Sequence, residues 1–297
     1  MIEKLHKFLL DEQTKKRIEK IIIRIAIVSF IIHLSLIFLN QLNLFGFFSE
    51  NDLFTNPISA IYTPFSFILI YEVYLLIYYL PKSMTIYIGK QYEIIMLIVI
   101  RRLFKDLSNI SLDEKWFQTA ENLQFIYDII TTLILFLLIH FFYKMNKLRV
   151  RKLLKLTETN AELLKFIKTK KGISVSLVPA FIIIGFYNIF LWISGLITDG
   201  QDVVASAVDI NYIFFDDFFT VLILVDVLLV LFSFSHTDKF NKVIRNSGFV
   251  ISTILVKLSF SVAGLQNVAL ILTAVGFGVL ILWIHNLFEK NKLPANY

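Results

Sequence analysis

Cysteine is absent from this 297-residue chain. That excludes disulfides, thiol chemistry and any cysteine-ligated metal or iron–sulfur centre. Charge is scarce as well: 18% of residues are charged, against about 25% in an ordinary soluble domain. Histidine occurs five times, at His6, His33, His140, His236 and His285, too scattered for a histidine box. No His-Glu-x-x-His pair and no Gly-x-Ser-x-Gly elbow occurs, so zinc-protease and serine-hydrolase chemistry lack their signatures. No Thr-Val-Gly-Tyr-Gly segment marks a potassium-type filter. The sequence therefore predicts no enzyme, no cofactor and no metal site.

What is abundant is hydrocarbon. The chain is 57% hydrophobic with mean hydropathy +0.72, more than one soluble core can absorb. A membrane helix needs about 20 apolar residues, and eight apolar runs of about that kind can be placed. They are Ile21–Leu44, Ile58–Leu80, Tyr92–Leu107, Leu123–Tyr143, Ile173–Ile197, Tyr212–Phe234, Gly248–Val262 and Gln266–Phe288, numbered here as spans 1 to 8. Pro81 closes span 2, because a proline disfavours helical backbone at the residue before it. Span 3 is short and carries Arg101 and Arg102; as a re-entrant segment it would leave seven spans. The first run is too long for a signal peptide and lacks a small-residue cleavage site.

Basic residues orient the spans. Lys4, Lys7, Lys15, Lys16, Arg17 and Lys20 precede span 1, and ten cations from Lys144 to Lys171 separate spans 4 and 5. Lys82 and Lys90 follow span 2, Lys239, Lys242 and Arg245 follow span 6, and Lys290 and Lys292 follow span 8. The intervening loops hold Glu50 and Asp52, then Asp199, Asp202 and Asp209; only the 3–4 loop mixes Lys115 with Asp113 and Glu114. Cations concentrate on the cytoplasmic side. This predicts an integral protein of the cell (inner) membrane with both termini cytoplasmic. The net charge of +6 then reflects cytoplasmic loops and not specific nucleic-acid binding.

An internal repeat divides the chain. Ile139-His140-Phe141-Phe142-Tyr143-Lys144-Met145-Asn146-Lys147 ends span 4, and Ile284-His285-Asn286-Leu287-Phe288-Glu289-Lys290-Asn291-Lys292 ends span 8. Glu72 in span 2 parallels Asp226 in span 6, and Arg101 in span 3 parallels Lys257 in span 7. Because each unit has an even number of spans, the two run in the same direction. The expected fold is all-α: a polytopic membrane protein of eight transmembrane helices, built as two tandem four-helix bundles in parallel repeat. The segments are a basic N-terminal stretch 1–20, a first unit 21–143, an amphipathic linker 144–172, a second unit 173–288 and a tail 289–297. The linker spaces Leu148, Leu153, Leu154, Leu156, Leu163, Leu164 and Ile167 among its cations at helical intervals. It reads as a helix on anionic lipid, where each surface cation contributes about 1 kcal/mol, or as a soluble connector under the bundle.

The stretch from Tyr71-Glu72 through Gly89-Lys90-Gln91-Tyr92-Glu93 to Leu107 resembles the second and third helices of the voltage-sensor family, and Asp226 to Ala263 repeats the layout more faintly. That resemblance implies four-helix membrane units. It departs from the family in its fourth helix, where span 4 has no Lys or Arg but carries Asp128.

Ionisable groups inside membrane helices carry a functional expectation. Glu72 with Arg101 and Asp226 with Lys257 are the candidate buried charge pairs, each member placed about 12–14 Å from the cytoplasmic boundary at 1.5 Å per residue. Asp128, Asp216, Asp217, His140 and His285 are candidates for a cation or proton path. Asp128 is placed to face Arg102 or Lys105. Asp216 and Asp217 open span 6, where acids are favourable without any function. His140 and His285 also read as interfacial anchors. Lys257 with an aspartate would suit a retinal Schiff base, but nothing else around it is specific. Two functions stay open. One is a cation or proton permeation or charge-sensing protein. The other is a non-conducting interaction or effector subunit acting through the basic cytoplasmic face. Its partners would be the bilayer, a second copy or a cytoplasmic protein. The topology makes a first prediction: reporter fusions after Asn51, Gln201 and Leu265 all report the outside, and a cytoplasmic signal at Gln201 overturns the eight-span reading.

Overall fold

The computed structural model describes residues 2–42, 57–107, 110, 119–153, 161–198, 203–236, 240–262 and 264–291. Among them the chain is helical, with no strand. The helices are α1 (Ile2–Leu9), α2 (Glu12–Gln41), α3 (Tyr62–Tyr79, entered through a 3-10 turn at Pro57–Ile61), α4 (Met84–Leu107), α5 (Ala120–Leu153), α6 (Ala161–Thr198), α7 (Val203–His236), α8 (Phe240–Ser259) and α9 (Gly264–Asn291). Helices α2 to α9 correspond in order to the eight spans. Glu50, Asp52, Asp113, Glu114, Lys115, Asp199, Asp202, Lys239 and Lys292 lie outside the described residues, as do the loop sites Asn51 and Gln201.

Six stretches are long and apolar enough to cross a membrane by length and composition: Glu3–Gln41, Pro57–Tyr79, Asn122–Lys147, Lys165–Tyr187, Asp217–Phe234 and Gly264–Lys290. Helices α4 and α8 are not among them. They carry Lys90, Glu93, Arg101 and Arg102, or Lys242, Arg245 and Lys257, and they sit in the middle of the body. Helix α3 packs on α4, α4 on α5, α5 on α9, α9 on α8, α8 on α7 and α7 on α6, while α6 returns to α3. Helices α4 and α8 also touch each other. One apolar core runs through both halves, from Val73, Tyr92 and Phe142 to Phe218, Phe249 and Ile271. The two expected bundles therefore share a core. Enclosure on several sides is what lets α4 and α8 carry charge, since a helix facing neighbours need not be apolar all round. Helix α2 is peripheral; Ile21, Ile25, Val28 and Ile32 on it are all exposed.

Several boundaries differ from the sequence reading. Span 3 begins at Met84 instead of Tyr92, and span 7 at Phe240 instead of Gly248. The offset is eight residues in both, about 12 Å of helix. The apolar run underestimates each helix because the polar first turns stay helical, and Ser83 helps by accepting the Ile86 amide at 3.4 Å. The N-terminal stretch is helical too, and α2 begins at Glu12, taking Lys15 to Lys20 into its first turns. The linker 144–172 is not a separate surface helix. Helix α5 continues through Leu153 and α6 starts at Ala161, with 154–160 outside the described residues. Helix α7 begins at Val203, so Asp216 and Asp217 stand well inside it and do not open it.

The centre is packed through a ring, a hydroxyl and a glycine. Tyr92 on α4 meets the Phe142 ring edge-on at 5.2 Å, and its hydroxyl lies 2.7 Å from Ser252 Oγ on α8. Ser252 in turn donates to the Ala274 carbonyl on α9 at 2.6 Å. The Tyr92 hydroxyl occupies the space a side chain at Gly278 would need, whereas Gly276 faces no neighbour. Gly278→Ala should therefore destabilise the protein by about 1–3 kcal/mol, the usual cost of overpacking. Gly276→Ala should be neutral or mildly stabilising, since alanine is the better helix former. Thermal unfolding of the two variants in detergent checks this contrast.

Candidate functional site

Two polar centres lie inside the helices, at opposite ends. The end where Lys82, Lys170 and Arg245 gather is called the basic end here. At the far end, Asp128 on α5 is fully buried. Arg102 on α4 grips it with two contacts, Nε to Oδ2 at 2.5 Å and Nη2 to Oδ1 at 2.6 Å. Gln124 adds a third at 2.8 Å. The remaining guanidinium nitrogen of Arg102 donates to Asn267 Oδ1 on α9 at 2.8 Å. The Asn267 amide then donates to the Ser259 carbonyl, at the end of α8, at 2.6 Å. Bidentate pairing of this kind is both strong and geometrically specific. The sequence expectation that Asp128 faces Arg102 is met.

At the basic end, Asp226 on α7 is fully buried among side chains of three other helices. Gln91 Nε2 on α4 donates to its Oδ2 at 2.9 Å. Tyr87, one turn before Gln91, and Thr253 on α8 sit beside the carboxylate. Thr253 spends its hydroxyl proton on the Val250 carbonyl at 2.9 Å. The Tyr87 hydroxyl lies near both the Asp226 carboxylate and Gln91, while no hydrogen bond of good geometry reaches Asp226 Oδ1, Gln91 Oε1 or the Tyr87 hydroxyl among the described residues. A cavity of about 10 Å³ lies beside Gln91 and Thr253 within the apolar packing of Tyr92, Ile95, Phe219 and Leu222; Asp226 and Tyr87 do not line it. Lys170 on α6 is 3% exposed, donates to the Lys82 carbonyl at 3.0 Å, and lies within electrostatic range of both Asp226 and Arg245.

A second polar cluster continues from Arg245. Its Nη2 donates to Asn246 Oδ1 at 2.8 Å, and Asn246 donates to Ser233 on α7 at 3.1 Å. Arg245 Nη1 lies 3.2 Å from His285 Nε2, which also faces Glu289 at 3.0 Å, while His285 Nδ1 faces the Asn241 carbonyl at 3.1 Å.

Neither expected charge pair forms. Lys257 stands seventeen residues into α8, whereas Asp226 stands ten residues from the end of α7. The earlier start of α8 carries the lysine past the aspartate, and its ammonium meets the Thr220 hydroxyl instead. Glu72 faces Lys90, Glu93, Glu19 and Lys15, and Arg101 lies buried eleven residues beyond Lys90. The cause is the same eight-residue offset, now in α4. His140 is exposed on α5 and His285 is 4% exposed, so the two repeat histidines have different surroundings. Asp217 is half-buried in α7; the side chain of Asp216 lies outside the described residues. Sequence reasoning missed Gln91, Tyr87 and Lys170. The first two fell outside span 3 as drawn, or at its edge, and Lys170 was one lysine among ten. Placing span 3 from Met84 would have put Tyr87 and Gln91 on one helical face.

Comparison with protein-family models, with curated proteins and with solved structures returns no match. The far-end centre makes its own prediction. Removing one member of a buried ion pair leaves an uncompensated charge and costs about 3–5 kcal/mol. Arg102→Ala should therefore fall in that range, and Asp128→Asn with Arg102→Gln together should recover part of it. Unfolding midpoints of the three proteins measure the coupling, and simple additivity would show that the pair is not a unit.

Proposed function

We propose that this protein is an integral membrane protein that takes up and releases a proton or small cation at Asp226. The carrying observation is the fully buried carboxylate of Asp226, gathered with Gln91 and Tyr87 of α4 and Thr253 of α8 and with Lys170 of α6 within electrostatic range. A fully buried carboxylate with no cation at ion-pair distance among the described residues suits a site whose occupant changes. Tyr92, Ile95, Val99, Leu222 and Val256, all buried, separate it from the Arg102–Asp128 centre, which favours a gated or responsive site over an open pore. On this reading both termini face the cytoplasm in a cell (inner) membrane. The halves form a parallel repeat, supported by the counterpart contacts α4 with α8 and α5 with α9; likeness to voltage-sensor units is part of the same proposal.

A second reading rests on Lys144, Lys147, Lys165 and Lys168, all exposed at the basic end: a non-conducting effector that binds a cytoplasmic protein or a second copy there. Reconstituted liposomes with a pH-sensitive dye inside decide between the two. Under an imposed potential the proposed site gives proton or cation flux. Asp226→Asn reduces it at least about a hundredfold, the lower end of what a general acid–base group contributes, and Asp226→Glu retains part. Tight liposomes with the unmodified protein would sink the proposal and leave the effector reading.

A further inference from the structure

We propose that α2 and α3 together hold an anionic phospholipid, its phosphate among Lys15, Lys82 and Lys90 and an acyl chain in the groove between the two helices. This goes beyond the Asp226 site. It shares only the membrane reading, so either can fail without the other.

The headgroup end is built by three elements. Lys15 on α2 places its ammonium 5.4 and 5.6 Å from the ring centres of Tyr78 and Tyr79. Lys82, in the turn after α3, is 4.7 Å from each. Lys90 on α4 is 5.2 Å from Tyr79. All three cations thus surround one tyrosine. The turn is held in place: the Lys82 amide donates to the Tyr79 carbonyl at 3.0 Å, and buried Lys170 donates to the Lys82 carbonyl, also at 3.0 Å. Lys90 pairs with Glu93 at 2.5 Å, whereas Lys15 and Lys82 have no carboxylate at ion-pair distance among the described residues. Glu19, Glu72 and Asp11 are the other acids nearby, and Glu19 accepts the Tyr71 hydroxyl at 3.0 Å. Glu19 and Glu72 sit on the far side of the lysines, Glu19 one turn along α2 from Lys15 and Glu72 two turns along α3 from Tyr79, and Asp11 stands one turn before Lys15. Cations stacked on aromatic rings at helix ends suit an interfacial headgroup.

The acyl end lies on the same helix pair. A groove of about 340 Å³ runs between α2 and α3, lined by Ile23, Ala26, Ile27, Phe30, Pro64 and Ile68 with no polar lining. Ile23 stands about 12 Å and Phe30 about 22 Å along α2 from Lys15; Ile68 stands about 16 Å along α3 from Tyr79. The antiparallel register that aligns these distances is pinned by Lys15 donating to the Tyr79 hydroxyl at 3.5 Å and by His33 meeting Thr63 at 2.5 Å. Half a hydrocarbon core is about 15 Å thick. The groove therefore occupies the depth a chain reaches when its phosphate sits at Lys15. A free phosphate would have no use for that groove, and an uncharged lipid none for the three lysines.

The test titrates dioleoyl phosphatidylglycerol into delipidated protein held in phosphatidylcholine nanodiscs, with bound lipid counted by native mass spectrometry. Each lysine near an anionic surface contributes about fivefold, so Lys15→Ala with Lys82→Ala weakens phosphatidylglycerol binding about thirtyfold at low salt. Lys165→Ala with Lys168→Ala weakens it far less than the Lys15 and Lys82 pair does. Lys82→Gln alone, at an exposed turn, gives about a fivefold loss should the double variant fold poorly. Equal loss in the control pair would reduce the site to general surface charge. Equal retention of phosphatidylcholine, or displacement of the lipid by excess inorganic phosphate, would overturn it as well.

Discussion

Burying the Asp128 carboxylate is the constraint on which this helical body depends. A charge taken out of water costs several kcal/mol unless it is paired and hydrogen-bonded. Asp128 is fully buried, and its two oxygens take three donors from Arg102 and Gln124. Meeting that demand fixes the depth of α4 against α5. Arg102 then has one nitrogen left, and Asn267 takes it. Asn267 also satisfies the Ser259 carbonyl at the end of α8, one of the carbonyls a helix terminus leaves without an internal partner. Four helices from both halves of the chain meet through one aspartate.

Fixing α4 and α8 in this way puts in the interior the two long helices that lack an apolar stretch of membrane length. Polar side chains that would be costly against lipid become bonds between helices, as with Tyr92 to Ser252 and Gln91 to Asp226. The close approach has a steric condition, met where Gly278 admits the Tyr92 hydroxyl and Gly248 admits the Ile281 side chain. The periphery carries no such demands. Helix α2 buries little beyond Ala26 and Ile37 and turns isoleucines outward.

The sequence made the helices and their order legible because a long apolar run reports burial of either kind, in protein or in lipid. It concealed which helices are central, since an interior helix tolerates charge and so scores as the weakest span. Span 3 looked doubtful for the reason that makes it central. Depth was misjudged in the same place: taking Tyr92 and Gly248 as helix starts shortened α4 and α8 by two turns each, which paired Asp226 with Lys257 and Glu72 with Arg101. The Arg102–Asp128 contact was legible because the two residues lie on consecutive helices near the same ends, where an error in helix start does not matter. Contacts between distant segments, such as Gln91 with Asp226 and Lys170 with Lys82, leave no periodic trace.

The two polar centres stand in different electrostatic situations, and the difference bears on what the proposed site could accept. Asp128 is saturated by donors, so nothing is left for an exchanging ligand. Asp226 keeps one oxygen without a donor, yet it has Lys170 within electrostatic range and Arg245 beyond. A metal cation entering there would face the Lys170 ammonium in a medium of low dielectric constant. A proton faces the same field but needs no coordination shell, and the Tyr87 hydroxyl beside the carboxylate is a group able to hand it on. The apolar layer of Tyr92, Ile95, Val99 and Phe219 closes the route toward Asp128. On the proposed reading the exchanging species is therefore a proton.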